Sequence, residues 1–261
     1  MRKIALKIIP NLAIITPSFN PEDGWVDNYI HSCKSIEKIL NVDSISWILV
    51  NDGSTKLISS FDIDRISSEV DNFQYFNLEK NRGKGFATRH GVDHSSADYT
   101  IYTDVDFPYL DENVLSVYQA LLNGSDLVLA TRNQNYYKQI SSKRAWISRN
   151  FRSAVKMLFN IPTTDTQAGL KGLSLLGKKA LLDTKIDRYL FDLELVKICA
   201  KRKLNITEVE ATLKHNIDLP GVSLKILSKE VNLVRIFFGR RGRGGEGGGE
   251  GEEWVGFSLL F

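Results

Sequence analysis

Residues 73–106, FQYFNLEKNRGKGFATRHGVDHSSADYTIYTDVD, hold a strand, a helix and a second strand in direct succession. Phe73 to Leu78 is a short, largely apolar run. It ends before the turn-forming cluster Asn81-Arg82-Gly83-Lys84-Gly85, after which Gly85 to His94 carries a helical pattern. Tyr99 to Thr103 is a strand again, and it runs straight into Asp104-Val105-Asp106.

The same alternation extends both ways. Upstream, Leu12 to Ser18 (LAIITPS) and Ser46 to Val50 read as buried strands, with helices predicted over Tyr29 to Leu40 and Ile58 to Val70. Downstream, Val114 to Leu122 reads as a helix and Asp126 to Ala130 as a strand. Short, nearly all-apolar strands alternating with helices imply an α/β fold, a mostly parallel sheet covered on both faces. Ligands of such sheets collect at the carboxyl ends of the strands. The Thr16 to Asn20 loop and the polar clusters after the second, fourth and fifth strands are therefore expected to share one cleft.

The second half is less regular. Trp146 to Phe159 reads as a basic amphipathic helix, Gly169 to Leu176 as a strand, Phe191 to Lys201 as a helix and Ile206 to Leu213 as a strand. Ile226 to Phe238 is amphipathic. Composition changes at Arg240, beyond which Arg, Gly and Glu dominate, so 1–239 is assigned to one domain and 240–261 to a disordered tail.

Composition narrows the function classes. The 261 residues are 43% hydrophobic and 25% charged, with a formal charge of +3. Basic residues are interleaved with acids, which argues against a nucleic-acid partner. Cys33 and Cys199 sit in helical patterns and read as buried thiols of a reducing compartment. No run of about 20 apolar residues occurs, so the expected location is cytoplasmic, or peripheral on the cytoplasmic membrane face. His31, His90, His94 and His215 lack metal-ligand spacing.

Asp104 and Asp106 are the strongest chemical candidates. In extended chain, residues i and i+2 point to one side, so both carboxylates are expected to converge on one hard cation, Mg²⁺ or Mn²⁺. Asp52, in Asn51-Asp52-Gly53-Ser54-Thr55, reads either as a turn residue or as an acceptor for a base or ribose. Arg82 and Lys84, with two glycines before a helix, suit a phosphate, although neither a P-loop nor a dinucleotide fingerprint is present. Arg132, Arg144 and Arg149 surround or begin a predicted helix and suit an acceptor phosphate. Asp165-Thr166-Gln167-Ala168-Gly169 is a polar loop, and Asp192 and Glu194 open a helix where acids fit the dipole in any case.

Taken in order, Ile15 to Asn20, Val50 to Ser54, Asn81 to Gly85, Thr103 to Asp106, Asp165 to Gly169 and Phe191 to Leu195 resemble the family-2 glycosyltransferases of GT-A fold. Within that family the chain looks most like the dolichyl- and polyprenyl-phosphate glucosyl- and mannosyltransferases, leaning to the glucosyl branch. The resemblance implies that Pro17 and Phe19 line the nucleotide pocket, Asp52 holds base or ribose, and Asp104 and Asp106 bind the cation. It further implies that Arg132, Arg144 and Ser148 grip the acceptor phosphate while Asp165 and Gln167 line the sugar and acceptor side of the cleft. Asp104, Asp106, Asp165 and Arg132 form the expected catalytic set. Three departures stand out: Pro21 follows Asn20 where an acid is usual, Pro108 replaces a polar residue, and the closing cation near 214–218 has only Lys214 and His215 as candidates.

The expected partners are a nucleotide diphosphate sugar (UDP-glucose or GDP-mannose), a lipid-phosphate acceptor and a membrane surface. An ionised phosphate needs no strong base; a sugar hydroxyl acceptor would, with Asp165, Asp192 or Glu194 as candidates. A transferase acting on a soluble glycan, a silent nucleotide-binding module and a nucleotidyltransferase are the competing readings.

Overall fold

The first strand, β1 (Leu12–Ser18), is buried along its whole length, as its unbroken apolar run requires. In this computed structural model, residues 11–40, 42, 44–55, 58–132 and 168–214 are described, and all belong to one compact unit, Met1–Ile217. After β1 come α1 (Trp25–Ile39), β2 (Ile45–Asn51), α2 (Ser60–Glu69), β3 (Phe73–Asn77), α3 (Lys84–Asp93), β4 (Tyr99–Tyr102), α4 (Asp111–Leu122) and β5 (Leu127–Arg132). Then follow β6 (Lys171–Leu173), α5 (Leu175–Leu182), α6 (Phe191–Lys201) and β7 (Ile206–Ala211).

The strands form a seven-stranded sheet in the order β3-β2-β1-β4-β6-β5-β7. Every pairing is parallel except those of β6, which runs against both β4 and β5. The carboxyl ends of β1, β2, β4 and β5 therefore share one edge, and β6 begins at that edge with Lys171 opposite Tyr102. Side-chain alternation sorts the helices onto two faces. Thr16 meets Tyr29 of α1, and Gly172 lies against Val117 and Leu121 of α4. On the other face Gly91 of α3 lies against Ile15, Ile48 and Val50, and Tyr102 meets Phe191 of α6. Trp47, Tyr29 and Phe107 are among the largest fully enclosed side chains; removing such a ring costs about 3–5 kcal/mol.

The apolar run 169–176 is not one strand. Only Lys171–Leu173 pairs, and Ser174 then caps α5 by accepting from the Leu176 and Gly177 N–H groups at 3.2 and 3.3 Å. Its hydroxyl takes up donors that a helix start leaves without intrahelical partners. Strand β7 likewise stops at Ala211, and Leu213 makes an isolated bridge to Tyr109. The predicted helix 146–159, the stretch 226–238 and the tail 240–261 lie outside the described residues. Among the described residues no helix is long and apolar enough to cross a membrane, and Cys33 and Cys199 are free and buried.

Candidate active site

β4 ends at Tyr102, and a turn follows in which the Phe107 N–H donates to the Asp104 carbonyl at 3.0 Å. The two carboxylates therefore sit in a turn rather than in extended strand, and the charge of Asp104 acts on Asp106. Phe107 takes φ 46°, a left-handed conformation that is unfavourable for a bulky residue. Its ring is buried against Tyr29 and Trp47, at centroid distances of 5.6 and 6.3 Å, and this packing holds the turn. From α1, Asn28 Nδ2 donates to the Asp106 carbonyl at 2.7 Å. The Asp106 residue reaches solvent, yet its carboxyl pKa is pushed up to about 6, first by desolvation and then by the charge of Asp104, with Glu22 adding to the effect. Glu22 thus lies near the pair one position later than the family's usual acid, displaced by Pro21.

Lys84, the first residue of α3, makes an ion pair with Asp104 Oδ1. Burial works against its charge, but Asp104 and Asp192 outweigh that, and its pKa stands above the ordinary lysine value. The loop before it is fixed by Asp52, which accepts from the Arg82 and Gly83 N–H groups, both at 2.8 Å, and from Asn81 Nδ2 at 3.0 Å. Burial raises the Asp52 pKa against the pull of these donors. The N–H groups of residues 82 and 83 therefore point at Asp52 rather than forming an open anion cradle. Gly83 (φ 108°) is required because a β-carbon there would overlap the Asp187 carbonyl. The Arg82 guanidinium lies over the Phe86 ring, 3.4 Å from its centroid.

Beneath the turn is a buried polar group that sequence reading did not anticipate. Lys171, wholly enclosed, lies 3.0 Å from Asp192 Oδ1 and donates to the Ala168 carbonyl at 2.5 Å. The Tyr102 hydroxyl donates to the same Asp192 oxygen at 2.7 Å. A buried charge persists only when paired, so this cluster ties β4, β6 and α6 together under Asp104. Glu194 accepts from the Lys185 and Ile186 N–H groups at 2.7 and 2.8 Å. Two of the three general-base candidates, Asp192 and Glu194, are therefore engaged in structural contacts.

The remaining predicted residues divide clearly. Pro17 is buried within β1 and Phe19 stands 46% exposed just after it. Asn20 binds Ser54 Oγ through its N–H at 2.9 Å and accepts from the Thr55 N–H at 2.8 Å, which joins the first loop to the Asp52 loop. Arg132 ends β5 at the cleft edge, paired with Ala211. Arg144, Ser148, Asp165 and Gln167 lie outside the described residues. Lys214 does not cover the cleft. Its ammonium lies 2.9 Å from Asp111 Oδ1, off the hydrogen-bond direction, and 3.3 Å from Ser32 Oγ, on the α1–α4 side.

Among the described residues no group of three or more His, Cys, Asp or Glu side chains converges as a metal site. Asp104 and Asp106 nevertheless fit a hard cation. They offer carboxylate oxygens only, they repel one another, and one of them already holds a positive group; carboxylate, carbonyl and water oxygens suit Mg²⁺ or Mn²⁺.

Comparison with known proteins gives the family and the fold. Residues 13–181 match the family described as Glycosyl transferase family 2. The chain is 26% identical to a dolichyl-phosphate beta-glucosyltransferase of Dictyostelium discoideum over 247 residues, covering 87% of this chain and 74% of that protein. It is 23% identical to the Saccharomyces cerevisiae protein of the same name, covering 87% and 75%. Among solved structures, a mannosyltransferase from Pyrobaculum calidifontis in complex with GDP-Man and Mn²⁺ superposes with a TM-score of 0.58 at 13% identity, covering 92% of this chain and 66% of that one. Mannosyl-3-phosphoglycerate synthase from Rubrobacter xylanophilus gives 0.56 at 14% identity, covering 93% and 79%. The fold is that of the GT-A glycosyltransferases, and the chain belongs to glycosyl transferase family 2.

Proposed function

We propose that this glycosyltransferase moves a hexose from a nucleotide diphosphate sugar to a dolichyl or other polyprenyl phosphate, with inversion at the anomeric carbon. Glucose from UDP-glucose is the favoured donor group, because the similar curated proteins carry the name dolichyl-phosphate beta-glucosyltransferase. The observation that carries the reading is the cluster Asp104, Asp106 and Lys84 at the carboxyl edge of the sheet.

In this reading Asp52 fixes the 81–83 loop, so that α3 presents Lys84 to the diphosphate. Asp104 and Asp106 would hold Mg²⁺ or Mn²⁺, and that cation supplies charge neutralisation to the departing diphosphate. Phe19 borders the nucleotide pocket and Arg132 stands at the acceptor side. A phosphate acceptor is favoured over a sugar hydroxyl because the similar curated proteins are named for dolichyl phosphate; of the candidate bases, Asp192 and Glu194 are spent on Lys171, Tyr102 and the 185–186 backbone, and Asp165 lies outside the described residues. An ionised phosphate oxygen attacks without losing a proton, so rate comes from alignment and charge stabilisation. A lipid acceptor calls for work at a membrane surface, and this reading takes the cytoplasmic face as its location.

The test is transfer of labelled sugar from UDP-glucose or GDP-mannose to dolichyl phosphate. Label entering the organic phase as a β-linked product, only with a divalent cation, supports the reading. Retention of all label in water with both donors overturns it.

A further inference from the structure

Lys84 Nζ sits on Asp104 Oδ1, one of the oxygens a divalent cation would need. We propose that Lys84 is an internal counter-ion that Asp104 exchanges for the metal, and that the released ammonium then turns to the donor's diphosphate. The inference rests on the nucleotide-sugar reading above and deepens it.

The charges around Lys84 support the exchange. Asp104 pairs with it directly, and Asp192 and Tyr189 also act on it electrostatically. The Lys84 side chain is only 20% exposed, so an ammonium pushed off Asp104 by a metal alone loses its closest anion in a poorly solvated place. A diphosphate arriving with the metal replaces that anion. Metal alone should therefore bind weakly, and metal with nucleotide should bind cooperatively.

Linkage makes this coupling reciprocal, typically ~5–150-fold for coupled sites. Lysine suits the part, since it is a compact charge on a flexible four-carbon stem. The backbone anchor stays fixed throughout: Gly83 and Phe86 are held by Asp52 and Asp187, while the Lys84 carbonyl accepts from Thr88 Oγ1 at 2.7 Å.

The experiment measures free Mn²⁺ by electron paramagnetic resonance as it is titrated into the full-length protein, alone and with saturating UDP or GDP. Lys84→Met and Lys84→Gln should bind Mn²⁺ alone on the order of tenfold more tightly than wild type and lose most of the nucleotide coupling. Lys84→Arg, which keeps the charge, should retain weak binding of Mn²⁺ alone. Thermal unfolding of each variant checks that it is folded. If both neutral variants bind Mn²⁺ alone no better than wild type, the exchange is overturned while the transfer reading stands. Failure of wild type to bind Mn²⁺ with either nucleotide overturns the exchange together with the metal-dependent reading.

Discussion

Gly169 lies directly against the Asp104 carboxylate: a β-carbon on Gly169 would overlap Oδ2. The Gly169 N–H donates to the Tyr109 hydroxyl at 3.2 Å, so the backbone is tethered and has little room to withdraw. Gly169→Ala should push the Asp104 carboxylate, the end of a side chain 38% exposed, away from Lys84 with little loss of stability. Transfer activity should fall by about tenfold or more, as each 1.4 kcal/mol of lost transition-state binding is worth a factor of ten. Steady-state kinetics with thermal unfolding tests this, and a folded variant with wild-type kcat/KM would refute it.

The Lys171–Asp192 pair makes a stability prediction. Lys171→Met leaves Asp192 buried without its cation, and breaking such a pair costs about 3–5 kcal/mol. Pairing Lys171→Met with Asp192→Asn should recover part of that loss, because the uncompensated charge is then gone. Urea unfolding of the two single variants and the double variant reads the coupling directly. Purely additive losses would show that the pair does not act as a unit.

Asp106 gives the pH dependence its sign. Its carboxyl titrates at about 6 in the fold, above the ordinary aspartate value near 3.9. The folded state therefore holds a proton that the unfolded chain has released between those values. Stability of the metal-free protein should fall as pH rises from about 4 to about 6. Mn²⁺, which needs the ionised carboxylate, should protect increasingly over the same rise. Melting temperature against pH, with Mn²⁺ plus saturating UDP or GDP and with a chelator, should show opposite trends for wild type, and Asp106→Asn should flatten both.

Asp52 offers a fourth perturbation. Asn at this position keeps one acceptor but turns an NH₂ toward a backbone N–H, leaving one of the two loop donors unmet. The expected loss is about 1–3 kcal/mol of stability, together with weaker nucleotide diphosphate binding as the 81–85 loop loosens. Calorimetric binding of UDP and GDP with Mn²⁺ checks the second effect. Unchanged affinity alongside a lowered melting temperature would confine Asp52 to folding.

Much of this architecture was legible because it rests on local patterns. β1 and α6 take the bounds that their apolar runs predict, and the loops after β1, β2 and β4 do leave the sheet at one edge, where β5 also ends. What stayed hidden depends on distant contacts. Lys171 looks like a surface residue in the short strand KGL; only the return of α6 supplies Asp192 to neutralise it. The start of α5 was obscured because Ser174 lies inside an apolar stretch, where a cap resembles an interruption of a strand. Asp104 and Asp106 were expected to share one side of extended strand, but they sit in the turn that Phe107 locks. Its left-handed φ, unusual for an aromatic residue, has no local sequence signal.

The reversed direction of β6 closes a seam between distant parts of the chain. Leu129 pairs with Lys171, and the Ala130 N–H donates to the Leu170 carbonyl at 3.1 Å, so β5 and β6 meet at the same edge. On its other side β6 pairs with β4, with Lys171 opposite Tyr102 just before the Asp104 turn. A one-residue slip of a strand sends its side chains to the opposite face. Such a slip in this three-residue strand would part Lys171 from Asp192 and Gly169 from Asp104 at one stroke, so β6 is the keystone between the two parallel parts of the sheet.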